Sequence, residues 1–415
     1  MKGVLVVLDG VGDRACGNLN GMTPLEAAET PNLDYMAQEG VMGHIYPISE
    51  NMAPESDTAT VALLGNNPFL STRGVFEAIG AGLKIERGDL ALRTNFGTLD
   101  NLTSCKVLDR RAGRTLTTKE AQILAKEINK IFLPRKFLFK PTVQHRGVLV
   151  LRGGFSDNIT NTDPAYPIKG KFQHTYDFSF SKPLDDDENS KYTANMVNEL
   201  IEQSFLRLSK HPLNQQRVKK GLHPANILLT RDGGIEIPKI RKFKKWMAVH
   251  YLPLEIGISK VAGMDVFSFD YPEMKGYDSY ANMYDALNKA VKFAEKNLKK
   301  HKKDYEYCYI HFKETDVPGH DNKPLEKKTM IELIDKKFFS FLKKFAEKNK
   351  IILAITADHS TPCELKSHSA DAVPLLLFNS GEEKDGCVAF SEVESKKGKL
   401  GKIYGREVLK KIGFV

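Results

Sequence analysis

The sequence predicts an α/β fold in which a doubly wound core domain is split along the chain and a smaller α/β domain is inserted in its middle. Three short apolar runs carry this expectation: residues 4–8 (VLVVL), 307–312 (YCYIHF) and 351–357 (IILAITA). Each is rich in β-branched or aromatic residues and bounded by polar ones, which suits a strand buried on both faces better than a helix. Each also stops at a side chain with chemistry to offer: Asp9, Lys313, and the pair Asp358-His359. Open α/β sheets bind ligands beyond the carboxyl ends of their strands. The three runs therefore aim acidic and imidazole groups at one place.

In chain order, residues 1–100 alternate strand-like and helix-like patterns. These are the strand at 4–8, a helix over 31–39 (PNLDYMAQE), and helix-like stretches at 56–65 and 76–82. The character changes over 101–254, which holds DRRAGR at 109–114, a strand-like RGVLVLR at 146–152, and an acidic and aromatic stretch at 170–195 read as irregular. From 255 the alternation resumes with ISKVAGM at 258–264, a helix over 280–300, the 307 strand, a helix over 327–348 and the 351 strand. Metal-type residues fall only in 1–100 and 255–415, which reads as one metal-binding phosphotransfer domain in two parts around an inserted domain, 101–254.

At 415 residues the chain is long enough for about two domains of ~150 residues. Its net charge of +9 invites a nucleic-acid reading. The lysines, however, interrupt helix-like patterns at 291–303 and 335–350 with no interleaved aromatic motif, so they read as solvated helix faces that favour anionic small molecules. Cysteines 16, 105, 308, 363 and 387 form no C-x-x-C pair, which speaks against a disulfide framework or a thiolate zinc site and for a reducing cytoplasm. No segment reaches the ~20 apolar residues of a membrane span. Nothing in the pattern specifies an oligomer.

Asp9, Asp316, His320, Asp358, His359 and His368 are oxygen and imidazole donors of the kind that hold divalent ions. Taken singly, each is as readily a helix cap or a core histidine. Together they exceed what one tetrahedral site needs, and two ions ~3.5–4 Å apart are a usual device for phosphoryl transfer. Ser56 opens a helix after Pro54, as an N-cap or as a nucleophile placed where a helix N-terminus binds phosphate. Thr58 and Thr60 are its rivals. Arg110, Arg111 and Arg114 offer planar forks suited to phosphate and carboxylate.

Several motifs run in order along nearly the whole chain. They include LDG at 8–10, TPLEAAETPNLD at 23–34, PESD at 54–57, ALLG at 62–65 and TRGVFEAIGAG at 72–82. GDLALRTNF at 88–96, DRRAGR at 109–114, TDVPGHD at 315–321, TADHSTP at 356–362, SHS at 367–369 and GKLGKIYG at 398–405 continue the series. Together they resemble the archaeal-type cofactor-independent (2,3-bisphosphoglycerate-independent) phosphoglycerate mutases of the alkaline phosphatase superfamily. The resemblance implies an alkaline-phosphatase-like core and interconversion of 3-phosphoglycerate and 2-phosphoglycerate through a phosphoserine at Ser56. It implies two divalent ions, Mn²⁺ foremost with Mg²⁺, Zn²⁺ or Co²⁺ as alternatives, and no bisphosphoglycerate. Asp9, Ser56, Asp358 and His359 would hold one ion, and Asp316, His320 and His368 the other. Arg110, Arg111, Arg114, His145, Arg146 and Asp163 fall on the substrate-binding side, and Arg73 and Lys313 near the phosphoryl group. A metal-dependent phosphatase of the same superfamily is the alternative. Two positions depart from the family pattern: Glu55 stands where glycine usually precedes the serine, and Asn66-Asn67 stand in place of Tyr-Asp. Glu55 sets an extra carboxylate beside the nucleophile.

Overall fold

The structure, a computed structural model, describes residues 1–166 and 177–415. Gly3–Leu8 lies inside an eight-stranded sheet, flanked in parallel by Tyr307–Phe312 and Ile352–Thr356. All six of its residues are buried, which accounts for its unbroken apolar run. Leu8 pairs with Phe312 and Val7 with Thr356. The three strands thus end nearly level, and Asp9, Lys313 and Asp358 emerge along one edge. Trp246–His250 and Asp265–Ser268 continue the sheet in parallel beyond Tyr307–Phe312. On the other side Val373–Phe378 runs antiparallel to both Ile352–Thr356 and Val41–Tyr46, and Gly401–Tyr404 completes the edge.

Helices form where the sequence predicts them, at Pro31–Glu39, Ser56–Leu63 and Ser279–His301. The helix expected over 327–348 is interrupted: Pro324–Ile334 passes through a π-type turn, Asp335–Phe339, into Ser340–Asn349. That turn aims the Asp335 carboxylate at the start of Pro31–Glu39, where it accepts from Leu33 N at 2.8 Å and Asn32 N at 3.2 Å. A buried anion meets the positive end of a helix there. The 258–264 pattern is the end of helix Pro253–Val261 and the turn after it.

A second, antiparallel sheet is centred on Leu90–Leu99, with Arg146–Leu151 on one side and Ile227–Gly234 on the other. Phe137–Pro141 lies outside Arg146–Leu151, and Val107–Asp109 pairs with the end of Leu90–Leu99. Thr118–Ile128 and Glu188–Ser209 supply buried residues to its core, among them Leu124, Val197 and Leu200. The change of sheet comes earlier than boundaries at 100 and 254, since Leu90–Leu99 is already in the second sheet and Trp246–His250 is back in the first. Of the stretch read as irregular, 170–176 lies outside the described residues, and from Glu188 onward the chain is helical. Its first turns, ENSKYTAN, hold Asn, Ser, Tyr and Thr, which favour a helix less; Asp187 caps it and burial of Ser190, Thr193 and Ala194 holds it in place. Among the described residues no helix is long and apolar enough to cross a membrane.

Helix Arg73–Gly80 sits between the two sheets. At one end a Cβ on Gly74 would lie 2.2 Å from the Ala91 carbonyl oxygen in the second sheet. At the other, a Cβ on Gly80 would meet the Pro253 carbonyl oxygen at 1.7 Å, and one on Gly257 the Phe76 carbonyl oxygen at 1.8 Å. Helices Arg73–Gly80 and Pro253–Val261 therefore touch backbone to backbone. Gly257→Ala is expected to force them apart and to cost about 1–3 kcal/mol or more in a denaturant melt, the range of overpacked cores. An unchanged melt would show that the crossing yields without strain.

Candidate active site

Ser56 is the first residue of its helix, and Glu55 takes the N-cap position. The cap reading of the serine is thereby corrected. Thr58 Oγ1 accepts from Glu55 N at 3.1 Å and donates to Glu55 O at 2.9 Å, so the neighbouring threonine serves the helix start. Ser56 Oγ instead lies 3.1 Å from His359 Nε2. Thr60 is buried at 1% exposure, which takes the other rival hydroxyl out of solvent.

Two groups of donors assemble at the strand ends. Asp9, Asp358 and His359 bring ligand-type atoms within 4.8 Å of one another, and so do Asp316, His320 and His368. In the first group the residues are wholly buried, and Asp9 Oδ1 and Asp358 Oδ2 lack a hydrogen-bond partner among the described residues, while Asp9 Oδ2 meets Lys313. Thr361 links the groups. Its hydroxyl donates to Asp316 Oδ1 at 2.7 Å, leaving it to accept from His359 Nδ1 at 3.1 Å. The proton of His359 therefore sits on Nδ1. His320 Nδ1 donates to Lys366 O at 3.0 Å, and His368 Nδ1 donates to Pro54 O at 2.8 Å. All three imidazoles consequently turn Nε2 toward carboxylates, at 3.3 Å from Asp9 for His359 and at 3.4 and 3.7 Å from Asp316 for His320 and His368, and burial, which lowers the pKa of His359 and His320, leaves those two with a lone pair there. Lone pairs facing anions at these distances repel unless a cation lies between them, so the donor set fits divalent ions. Burial pushes the His359 imidazole down to about 3, which keeps it neutral at ordinary pH.

Gly10 makes this proximity possible. Its φ is +59°, and a Cβ there would meet Thr361 Oγ1 at 2.5 Å and Asp316 Oδ1 at 2.8 Å. Beside the first group, His311 Nδ1 is 2.8 Å from the Tyr309 hydroxyl, a natural donor to it. With Tyr309 as the donor, His311 Nε2–H faces Asp9 Oδ2 at 3.5 Å and Asp358 Oδ2 at 3.7 Å. Lys313 pairs with Asp9 and lies 3.0 Å from Glu255. Two further groupings were not foreseen: Asp9 with Glu255 and His311, where Lys313 already lies against both carboxylates, and Asp13 with Cys16 and Cys363. There Lys327 already supplies the positive charge, reaching Asp13 Oδ2 at 2.7 Å and the Gly12 and Thr361 carbonyls at 3.0 Å. Burial pushes the Cys16 thiol up to about 11, against thiolate ligation.

A cleft between the sheets joins Ser56 and the second donor group to a set of arginines. Arg110, Arg111, Arg114, His145 and Arg146 line it from the insert, and Arg73 and Lys313 from near the donors. Asp163 stands behind Arg110 and holds it through two bonds of 2.6 and 2.7 Å. Arg114 is paired with Asp321 across the cleft, and Arg73 with Glu77 at 2.9 Å. Arg111 and Arg146 make no side-chain ion pair or hydrogen bond among the described residues.

The 2,3-bisphosphoglycerate-independent phosphoglycerate mutase family model matches residues 37–214. A mutase of that name from Pyrococcus furiosus is 39% identical over 98% of this chain and 95% of its own length, and one from Methanocaldococcus jannaschii is 36% identical over 99% and 96%. The chain belongs to the 2,3-bisphosphoglycerate-independent phosphoglycerate mutases. Among solved structures, a Pyrococcus horikoshii protein aligns with a TM-score of 0.74 at 31% identity, covering all of this chain and 98% of that one. The cofactor-independent phosphoglycerate mutase of Thermoplasma acidophilum gives 0.56 at 31%, covering 99% and 98%.

Within this mutase, sequence reasoning overlooked Arg93 and Arg231, which face each other in register on neighbouring strands and both line the cleft. The signal was present: each interrupts an otherwise apolar run, LALRTNF and ILLTRDG. Arg231 lies 3.7 Å over the Tyr166 ring, and Arg93 Nη1 is 3.2 Å from Glu77. Thr361 was also missed, because a threonine that fixes a tautomer has no spacing of its own. Thr361→Val is expected to weaken metal binding about 10–100-fold, the usual effect of losing an orienting partner, in a calorimetric Mn²⁺ titration. Unchanged affinity would show that His359 is oriented without it.

Proposed function

We propose that this chain interconverts 3-phosphoglycerate and 2-phosphoglycerate through a phosphoserine at Ser56, with two divalent cations, Mn²⁺ foremost, held by Asp9, Ser56, Asp358 and His359 and by Asp316, His320 and His368. The observation that carries the reading is the unprotonated Nε2 turned toward carboxylates in both groups, one of them 3.1 Å from Ser56 Oγ. When bound, such ions lower the barrier by neutralising phosphoryl oxygens and favouring the ionised serine. The serine's proton is lost as Oγ attacks phosphorus, and the departing oxygen takes one up; the other glycerate hydroxyl then attacks the phosphoserine and loses its proton, the bond from phosphorus to Ser56 Oγ breaks, and Oγ takes up a proton again. Every atom of the substrate returns in the product.

Retention of glycerate falls to the insert. Arg111 and Arg146, unpaired with any carboxylate among the described residues, are the arginines free to grip the glycerate carboxylate. Arg110 and Arg114 are already committed to Asp163 and Asp321. The Arg114–Asp321 pair ties the insert to the loop after His320 and so helps close the cleft against water. Arg73 and Lys313 flank the position of the phosphoryl group.

3-Phosphoglycerate labelled in both phosphate and glycerate carbon is expected to yield doubly labelled 2-phosphoglycerate, even with excess unlabelled glycerate. Dilution of the carbon label would show that glycerate escapes between the transfers. Free phosphate as the main product would replace this reading with a phosphatase.

A further inference from the structure

Glu55 is the residue that this reading leaves unused. It replaces the family's usual glycine and lines the cleft next to Ser56. Its Oε2 lies 3.7 Å from Arg73 Nη1, and its side chain is only 18% exposed. Arg73 Nη1 is also 3.7 Å from Asp57 Oδ1, while Arg73 Nε binds Glu77 at 2.9 Å. Arg73 thus serves three carboxylates, and of these Glu55 and Asp57 hold it loosely. Arg231 lines the same cleft with Nε and Nη1 buried and without a hydrogen-bond acceptor among the described residues, although Asp232 lies 3.4 Å from its Nε. A carboxylate is therefore tethered where two guanidinium groups and the first N–H groups of a helix would otherwise receive a phosphate.

We propose that Glu55 is a built-in anion that occupies part of the phosphate subsite formed by Arg73 and Arg231, so that an incoming phosphoryl group must displace it. The proposal rests on the phosphotransfer reading of this cleft. Inorganic phosphate can be held only at the phosphoryl end of the cleft, where Glu55 competes with it. A phosphoglycerate also reaches Arg111 and Arg146, and its second anionic end keeps it bound while Glu55 gives way. The carboxylate thus specifies substrates with two anionic ends by weakening the hold on those with one. It also keeps the arginines from binding the transferred phosphoryl group so tightly that it cannot leave.

The test is a calorimetric titration of Mn²⁺-loaded protein with inorganic phosphate, at matched metal content, for the unmodified chain, Glu55→Gln, Glu55→Gly, Arg73→Ala and the double variant Glu55→Gln/Arg73→Ala. Glu55→Gln and Glu55→Gly are expected to bind phosphate about tenfold more tightly, the scale of one freed charge-assisted contact. In the Arg73→Ala background, Glu55→Gln is expected to change little. Phosphate affinity that is unchanged or lower in both Glu55 variants overturns the proposal, and so does equal tightening without Arg73. The readout needs no turnover, so a chain that fails as a mutase leaves this result standing, and failure here leaves the mutase reaction untouched.

Discussion

Negative charge gathered in a dry interior is the constraint on which the rest of the structure depends. Asp9 and Asp358 are wholly buried at adjacent strand ends, Asp316 lies one threonine hydroxyl away, and His359 and His320 turn lone pairs inward rather than protons. Such a grouping is unstable without cations, since an unpaired buried carboxylate costs several kcal/mol or is neutralised. The chain meets the charge in part with its own groups. Lys313 reaches Asp9, His311 turns its Nε2–H toward Asp9 and Asp358, and Lys327 neutralises Asp13 one loop away. What remains are Asp9 Oδ1, Asp358 Oδ2 and the Nε2 lone pairs of His359 and His320. That remainder is where the proposed divalent ions would sit.

Architecture follows from the same demand. Three parallel strands buried on both faces deliver the anions level with one another, and the glycine after Asp9 lets the loops approach until Thr361 spans them. The arginines come from a different sheet. They face the anions only because helix Arg73–Gly80 touches both layers through glycines, with Arg73 at the first turn of that helix. Positive and negative halves of the cleft are thus built separately and brought together by one short element. On the proposed reading, substrate anions would bind on the arginine side and Ser56 would attack from the other.

Much of this was legible in the sequence, for identifiable reasons. Strands buried on both faces write themselves as continuous apolar runs, so the strand ends bearing Asp9, Lys313 and Asp358 were plain. The two donor groups fall together as the family resemblance partitions them. What escaped was set by tertiary contact. The helix from Glu188 begins with residues that favour a helix less, and the Asp187 cap and burial of its inner face hold it in place. Leu90–Leu99 and Trp246–His250 change sheets ahead of the expected boundaries because strand pairing, which no local pattern encodes, decides membership. Of the two readings open for Ser56, the cap falls away because the cap position belongs to Glu55. Arg93 and Arg231 are separated by more than a hundred residues and meet only through register.

The central claim is that both donor groups hold ions, one of them at Ser56. Anomalous diffraction from crystals grown with Mn²⁺ tests it most directly. The account predicts two peaks, one within bonding distance of Asp9, Asp358, His359 and Ser56 Oγ, the other of Asp316, His320 and His368, separated by roughly 3.5–4 Å or somewhat more. A single peak, or ions bound at Asp13 and the Cys16 and Cys363 thiols instead, would contradict it.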